Sequence, residues 1–245
     1  MNKELLKGIE SFGDIFKQKY RDEWDKDKLL NDWKYSLKFF FGQSFMRGRK
    51  DKISDDFKNK TIKVLEKTFF TDSNFSLDKI KEELEKKENG VNNKGDRIMV
   101  LDTLKFIKQL PDYNITTYII RKLKENEQQA YDELDNINYI GDKIATLYLR
   151  ELCWMFDIKP KDYTLIFPID TWVRQIINRL KILNNRELSL TELKKVKESE
   201  IKRKAIDICL KNEINPLKFN AGVWYIGTHS LEIVLDNLER LKFSV

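Results

Sequence analysis

With nine glycines and four prolines in 245 residues, this chain has few of the residues that let a backbone reverse tightly. That scarcity bounds its fold more than any other feature. Hairpin-rich sheets and nucleotide-binding α/β folds need many turn residues, whereas helices joined by short polar connections do not. The apolar residues agree. Leu5, Ile9, Phe12 and Phe16 recur at helical spacing, as do Leu30, Trp33, Leu37 and Phe40, and Ile98, Leu101, Leu104 and Ile107. Later sets are Ile144, Leu147, Tyr148, Leu152 and Met155, then Trp172, Ile176 and Leu180, then Leu231, Val234, Leu235 and Leu238. The expected class is all-α. The main non-helical apolar stretch, residues 160–169 (PKDYTLIFPI), is expected to be extended. Connections are expected at 71–76, 87–96, Pro111, 136–141, 157–168 and 184–189. The charge-rich run at 194–204 reads as a solvated helix face.

A chain of this length makes one large domain or two small ones and can bury a core without covalent staples. A formal net charge of +6 permits a nucleic-acid partner without demanding one. Two cysteines, Cys153 and Cys209, are too few for a disulfide framework or for a four-cysteine zinc or iron–sulfur site. The single histidine, His229, excludes a site built on two imidazoles and reads only as a surface or capping residue. No run of about 18 apolar residues is present, and the N-terminal segment lacks an apolar signal core. The expectation is a cytoplasmic protein with no membrane partner.

The most informative segment is 127–155, EQQAYDELDNINYIGDKIATLYLRELCWM. It reads as helix, tight turn, helix, with the turn at Asn138, Tyr139, Ile140 and Gly141. Such a turn points several unpaired backbone N–H groups in one direction, with a helix dipole behind them, which suits a DNA phosphate. Gly141 lets a ligand backbone come close. An ordinary helical hairpin inside a bundle reads the same way.

Lys143 falls in the first turn of the second helix, where the positive end of the dipole disfavours a cation and so favours a neutral, nucleophilic amine. Taken alone, in a lysine-rich chain, it reads first as a surface residue. Farther on, Phe167-Pro168-Ile169-Asp170 precedes a helical pattern carrying Val173, Ile176, Ile177 and Leu180. Asp170 reads as an N-cap.

Taken together, a hairpin ending in Gly-x-Lys and an apolar-Pro-apolar-Asp segment that opens a helix resemble the helix-hairpin-helix superfamily of DNA glycosylases. The resemblance covers about residues 127–181. In that family the hairpin carries glycine, an apolar residue and glycine; here Tyr139 replaces the first glycine, a steric cost if the position needs positive φ. The stretch between Lys143 and Asp170 is also longer than in the common branches, so 157–166 looks like an insertion.

The resemblance implies that Lys143 is the nucleophile and Asp170 the carboxylate that supports it. It further implies that Asn138, Tyr139, Ile140 and Gly141 hold the DNA backbone. The backbone carbonyls of Asp135, Ile137 and Ile140 would hold a structural monovalent cation, and no other cofactor is needed. The cysteine count excludes the branch that carries an iron–sulfur cluster and moves the expectation to 8-oxoguanine. The implied partner is double-stranded DNA containing a damaged base, met by a monomer near the nucleoid.

Gln43, after Phe39-Phe40-Phe41-Gly42, stands where some members carry a glutamine that probes DNA; it reads also as an incidental residue at a buried helix end. Trp172, Trp224 and Tyr225 are expected base-pocket aromatics, or alternatively core residues. Arg47, Arg49, Lys50 and Lys52 form a basic cluster that suits phosphates or a solvated helix end. The implied architecture is two helical subdomains with a cleft between them. One comprises residues 1–40 and 182–245, from both termini. The other comprises 41–181, with the hairpin (127–155) and the aspartate segment (167–181). The alternatives are a non-catalytic helix-hairpin-helix DNA-binding protein, a glycosylase for other damaged bases, and a helical interaction protein with no role on DNA.

Overall fold

The structure, a computed structural model, describes residues 3–21, 23–49, 51–72 and 76–242, with side chains described at 3–15, 23–49, 52–72 and 76–229. Phe16, Lys50, Leu231, Val234, Leu235 and Leu238, named from the sequence, lie outside the described side chains. So do residues 73–75 of the expected 71–76 connection.

The fold is all-α. The helices are α1 (Lys3–Arg21), α2 (Lys26–Asn31), α3 (Trp33–Ser44), α4 (Asp51–Lys67), α5 (Leu77–Glu85), α6 (Lys94–Ile107), α7 (Ile115–Glu125), α8 (Glu127–Asp135), α9 (Asp142–Met155), α10 (Thr171–Arg179), α11 (Leu190–Lys195), α12 (Glu198–Lys211) and α13 (Pro216–Lys242). No strand occurs among the described residues. Polar residues start many of these helices by accepting the orphan N–H groups of the first turn. Asp25, Asp32, Asn93, Asn114, Asn126, Asp170 and Ser189 all do so, Ser189 within a capping box with Glu192. No described helix is long and apolar enough to cross a membrane.

The chain divides into two compact units. One comprises residues 1–23 and 161–245, the other residues 24–160. Both termini therefore enter one unit, but the divisions differ from those read in the sequence. Residues 24–40 join the central unit because α2 and α3 pack on α7, and α3 also packs on α9. Residues 161–181 join the terminal unit because α10 packs on α13. Periodicity shows which face of a helix is apolar and not which neighbour covers it.

In the terminal unit α1 lies along α13. Their backbones touch. A Cβ on Gly13 would stand 2.0 Å from the Lys218 carbonyl oxygen, and one on Gly222 would stand 1.9 Å from that of Ile9. Leu6, Ile9, Phe167, Ile169, Val173, Ile177, Ile201, Phe219 and Val223 fill the core. Two local expectations are corrected here. Residues 160–169 contain a 3-10 turn at Tyr163–Ile166, and the chain makes no strand there. The run at 194–204 breaks at Val196 and Lys197 between α11 and α12, and buries Ile201 and Lys202 rather than forming one solvated face.

In the central unit Phe39 and Phe40 pack their rings against buried Tyr148 of α9. The Tyr148 hydroxyl reaches Thr116 Oγ1 at 3.1 Å, and that hydroxyl receives the Ser36 hydroxyl proton at 2.8 Å. Burial raises the Tyr148 phenol above the ordinary tyrosine range. This network fastens α3, α7 and α9 together and fixes the axis of the helix that carries Lys143.

Candidate functional site

The hairpin forms where the sequence places it. The chain leaves α8 with the Ile137 N–H on the Leu134 carbonyl (3.1 Å) and turns with the Ile140 N–H on the Ile137 carbonyl (2.9 Å). Ile137 and Ile140 are buried beneath the turn, while Asn138, Tyr139 and Gly141 face outward. Tyr139 has φ +67°. Position 139, where the resemblance sets a glycine, is thus left-handed, and a tyrosine bears the strain. The Asn138 amide donates to the Asp102 carboxylate and ties the turn to α6.

Gly141 is the N-cap of α9 and supplies no side-chain cap. Its carbonyl accepts from Ile144 and Ala145, at 2.9 and 3.0 Å, and starts the helix. Its own N–H and that of Lys143 find no backbone acceptor among the described residues. A Cβ at Gly141 would meet nothing within 4 Å. The chain's own packing does not require glycine there, so the space outside the turn is open for a ligand to approach.

Lys143 is half-buried, and its Nζ donates to the Met46 carbonyl at 2.9 Å. Met46 lies in the turn after α3, beside two arginines with a shared partner. Arg49 makes a two-pronged contact with Asp96, at 2.7 and 2.8 Å, and Arg47 reaches the same carboxylate at 3.2 Å. Asp96 is fully buried in the first turn of α6. Burial disfavours the charged Arg47 guanidinium, and Asp96 offsets part of that. The Arg47 guanidinium also lies over the Tyr139 ring, 5.1 Å from its centre. The basic cluster read for phosphates is therefore corrected in part: Arg47 and Arg49 are committed to an internal carboxylate.

Gln43 is a second correction. It is 5% exposed, in the last turn of α3, so its side chain is packed inside rather than held out from the surface. A carboxylate cluster lies on the α8 side of the hairpin. The Tyr131 hydroxyl donates to Asp142 at 3.0 Å, and burial, followed by Asp142, raises its phenol above the ordinary range. Asp135 is held above the usual carboxylate range by burial first and then by Asp142 and Asp132. Of the three carbonyls named for a cation, that of Ile137 already accepts the Ile140 N–H, which leaves it one lone pair.

In the terminal unit Asp170 caps α10, its Oδ1 accepting the Val173 N–H at 2.9 Å. The segment before it is pinned from α13, by a residue of the C-terminal aromatic segment. Asn220 of α13, fully buried, donates to the Pro168 carbonyl at 3.0 Å. Trp172 is 44% exposed and rests on α13, where a Cβ on Gly227 would stand 2.7 Å from its own Cβ. Trp224 and Tyr225 are half-buried and gather around His229. Tyr225 stacks on that imidazole at 4.5 Å, and Trp224 meets it edge-on at 6.1 Å. His229 is thus no plain surface residue: α13 kinks there, with φ −114° and ψ 18°. Its Nδ1 lies 2.8 Å from the Thr228 hydroxyl and 3.2 Å from the Tyr225 carbonyl oxygen.

Lys143 therefore belongs to the central unit and Asp170 to the terminal unit, whereas the sequence-based division puts both in one subdomain. Comparison with protein-family models, with curated proteins and with solved structures finds no match.

Proposed function

We propose that this protein is a DNA glycosylase with lyase activity at abasic sites, using Lys143 as nucleophile and Asp170 as its supporting carboxylate. The observation that carries the reading is the hairpin itself: a left-handed residue at 139, an uncapped glycine start to α9, and a half-buried lysine in its first turn. The N–H groups of Gly141 and Lys143, which have no backbone acceptor among the described residues, suit a phosphate of duplex DNA and read no sequence. A damaged base is inaccessible inside the duplex and must be flipped out. As its bond to the sugar breaks, positive charge develops on the sugar, and the Asp170 carboxylate is the group proposed to stabilise it.

Lys143 attacks C1′ through its amine nitrogen, the bond from C1′ to the base breaks, and the base leaves with the bonding electrons and takes up the proton that the attacking nitrogen sheds. The C1′–O4′ bond then opens to a protonated imine, with O4′ taking a proton from water. Loss of a C2′ proton then breaks the C3′–O bond and nicks the strand on the 3′ side. The proposed base is 8-oxoguanine, with Trp172 and the Trp224–Tyr225 pair as aromatic platforms and a monovalent cation at the hairpin carbonyls.

The test is borohydride trapping on duplexes carrying 8-oxoguanine opposite cytosine or an abasic site. A covalent adduct on both, lost in Lys143→Gln, is the expected result. An adduct on the abasic duplex alone would keep the lyase and replace the base. No adduct on either would overturn the Schiff-base mechanism in favour of a non-catalytic DNA-binding hairpin.

A further inference from the structure

The Lys143 amine is not held by the hairpin that carries it. It donates to the carbonyl of Met46, on a turn distant in sequence. A turn between α3 and α4 has no intrinsic reason to keep a carbonyl aimed at a particular lysine. The three residues after Met46 supply one. Arg47 and Arg49 flank Gly48, which has φ +63°, and both converge on Asp96. Asp96 is itself fixed on the backbone of α6, where its N–H donates to the Asn93 side chain at 3.0 Å. Its carboxylate is fully buried and its two arginine partners are mostly so, at 17% and 19% side-chain exposure. Two-pronged arginine–carboxylate contacts fix orientation as well as distance. The same Arg47 covers the Tyr139 ring, so one carboxylate anchors both the turn that receives Lys143 and the tip of the hairpin.

We infer that Asp96 is a positioning residue for Lys143, acting through Arg47 and Arg49 to hold the Met46 carbonyl against Nζ. The inference deepens the proposed function and rests on it for the role of Lys143 as nucleophile. The juxtaposition of Asp96, the 46–49 turn and Lys143 stands independently of any reaction. All of these residues lie within the central unit.

The experiment has two arms on the full-length chain. In the first, without DNA, the amines are labelled competitively with a trace of acetic anhydride, and each lysine is quantified by peptide mass spectrometry. Asp96→Asn is expected to raise Lys143 labelling severalfold, with lysines remote from this cluster unchanged. In the second, single-turnover trapping on abasic duplex is expected to slow about tenfold or more in Asp96→Asn, since small misplacements of a reacting group cost up to ~100-fold. Half-saturation by DNA should stay within about threefold of the parent, because the phosphate-facing N–H groups are untouched.

Should Asp96→Asn fail to fold by circular dichroism, Arg49→Gln removes the two-pronged contact and leaves Asp96 with Arg47. It carries the same expectations, and Arg49→Lys should recover part of the loss. Unchanged Lys143 labelling in a folded variant would overturn the positioning role, whether or not the parent traps DNA. Altered labelling in a chain that never traps DNA would uphold the positioning and defeat the glycosylase reading.

Discussion

Replacing Tyr139 by alanine and by glycine separates the strain of the hairpin from the contacts of its side chain. The residue sits at φ +67°, and a left-handed conformation costs a non-glycine residue about 1–2 kcal/mol. Alanine keeps that strain and glycine removes it. Against this, glycine is the more costly residue to order, by roughly 0.5–1 kcal/mol. Glycine should therefore exceed alanine in stability by about 0.5–1 kcal/mol, the reverse of their order in a helix interior.

Both variants lose the ring. It is 50% exposed, so its burial is worth on the order of 1 kcal/mol, and its contact with Arg47 adds about 0.5–1 kcal/mol. Tyr139→Ala should then cost about 2 kcal/mol and Tyr139→Gly about 1 kcal/mol. Urea unfolding followed by circular dichroism reads both, compared by midpoint at unchanged slope. A further substitution tests the geometry, since a Cβ on Gly95 would lie 3.0 Å from Cε1 of Tyr139. Gly95→Ala should cost less in the Tyr139→Gly background than in the parent, a coupling on the order of 1 kcal/mol. Alanine at 139 matching or exceeding glycine would show that the turn is not left-handed and would remove the structural basis of the hairpin.

Three other outcomes are expected. Gly222→Ala drives a Cβ into the Ile9 carbonyl and should cost about 3 kcal/mol, read as a fall in Tm of roughly 6–12 °C. Gly8→Ala, also on α1 but with nothing within 4 Å of its Cβ, should instead stabilise by up to about 1 kcal/mol; equal effects would contradict the close α1–α13 crossing. Asn114→Ala should cost about 2–3 kcal/mol by urea unfolding, because it removes the α7 cap and both amide bonds to the Leu29 and Leu30 carbonyls. Asn114→Asp keeps the cap but sets a carboxylate oxygen against both carbonyls in a buried site, and should cost at least as much at neutral pH. Asp135 yields the pH dependence. Its folded-state pKa is raised, by burial first and then by Asp142 and Asp132, so folding favours the protonated form. Its contribution is fully present below the unfolded aspartate range and is lost as pH rises through the folded value. Asp135→Asn should therefore be more stable than the parent at neutral pH, with the advantage vanishing below the usual aspartate range. A constant difference across that range would refute the assignment.

Much of this architecture is legible from the chain alone because helices are written locally. The polar residue before each helix, the apolar period along it, and the turn at 138–141 are features of adjacent residues, and each depends on physics that acts within a few positions. Lys143 in the first turn of α9 and Asp170 at the head of α10 come from the same short-range rules. Local rules do not say which distant residues meet. Arg47 and Arg49 look like phosphate ligands until Asp96, far along the sequence, consumes them. Gln43 looks available until the α3 end is buried. Asn220 pins the Pro168 carbonyl across a wide sequence separation, and the aromatic cluster forms around a histidine at a kink.

The helical class, most helix starts, the hairpin and the residues at its turn thus belong to the chain's local chemistry, because capping and periodicity act between near neighbours. Long-range packing was needed to put residues 24–40 in one unit with the hairpin and the Asp170 segment in the other. It also set the Met46 carbonyl on Lys143 and held a tyrosine in a left-handed turn. Those outcomes depend on which apolar faces cover one another and on buried charges finding partners, and both bring together residues that the sequence keeps apart.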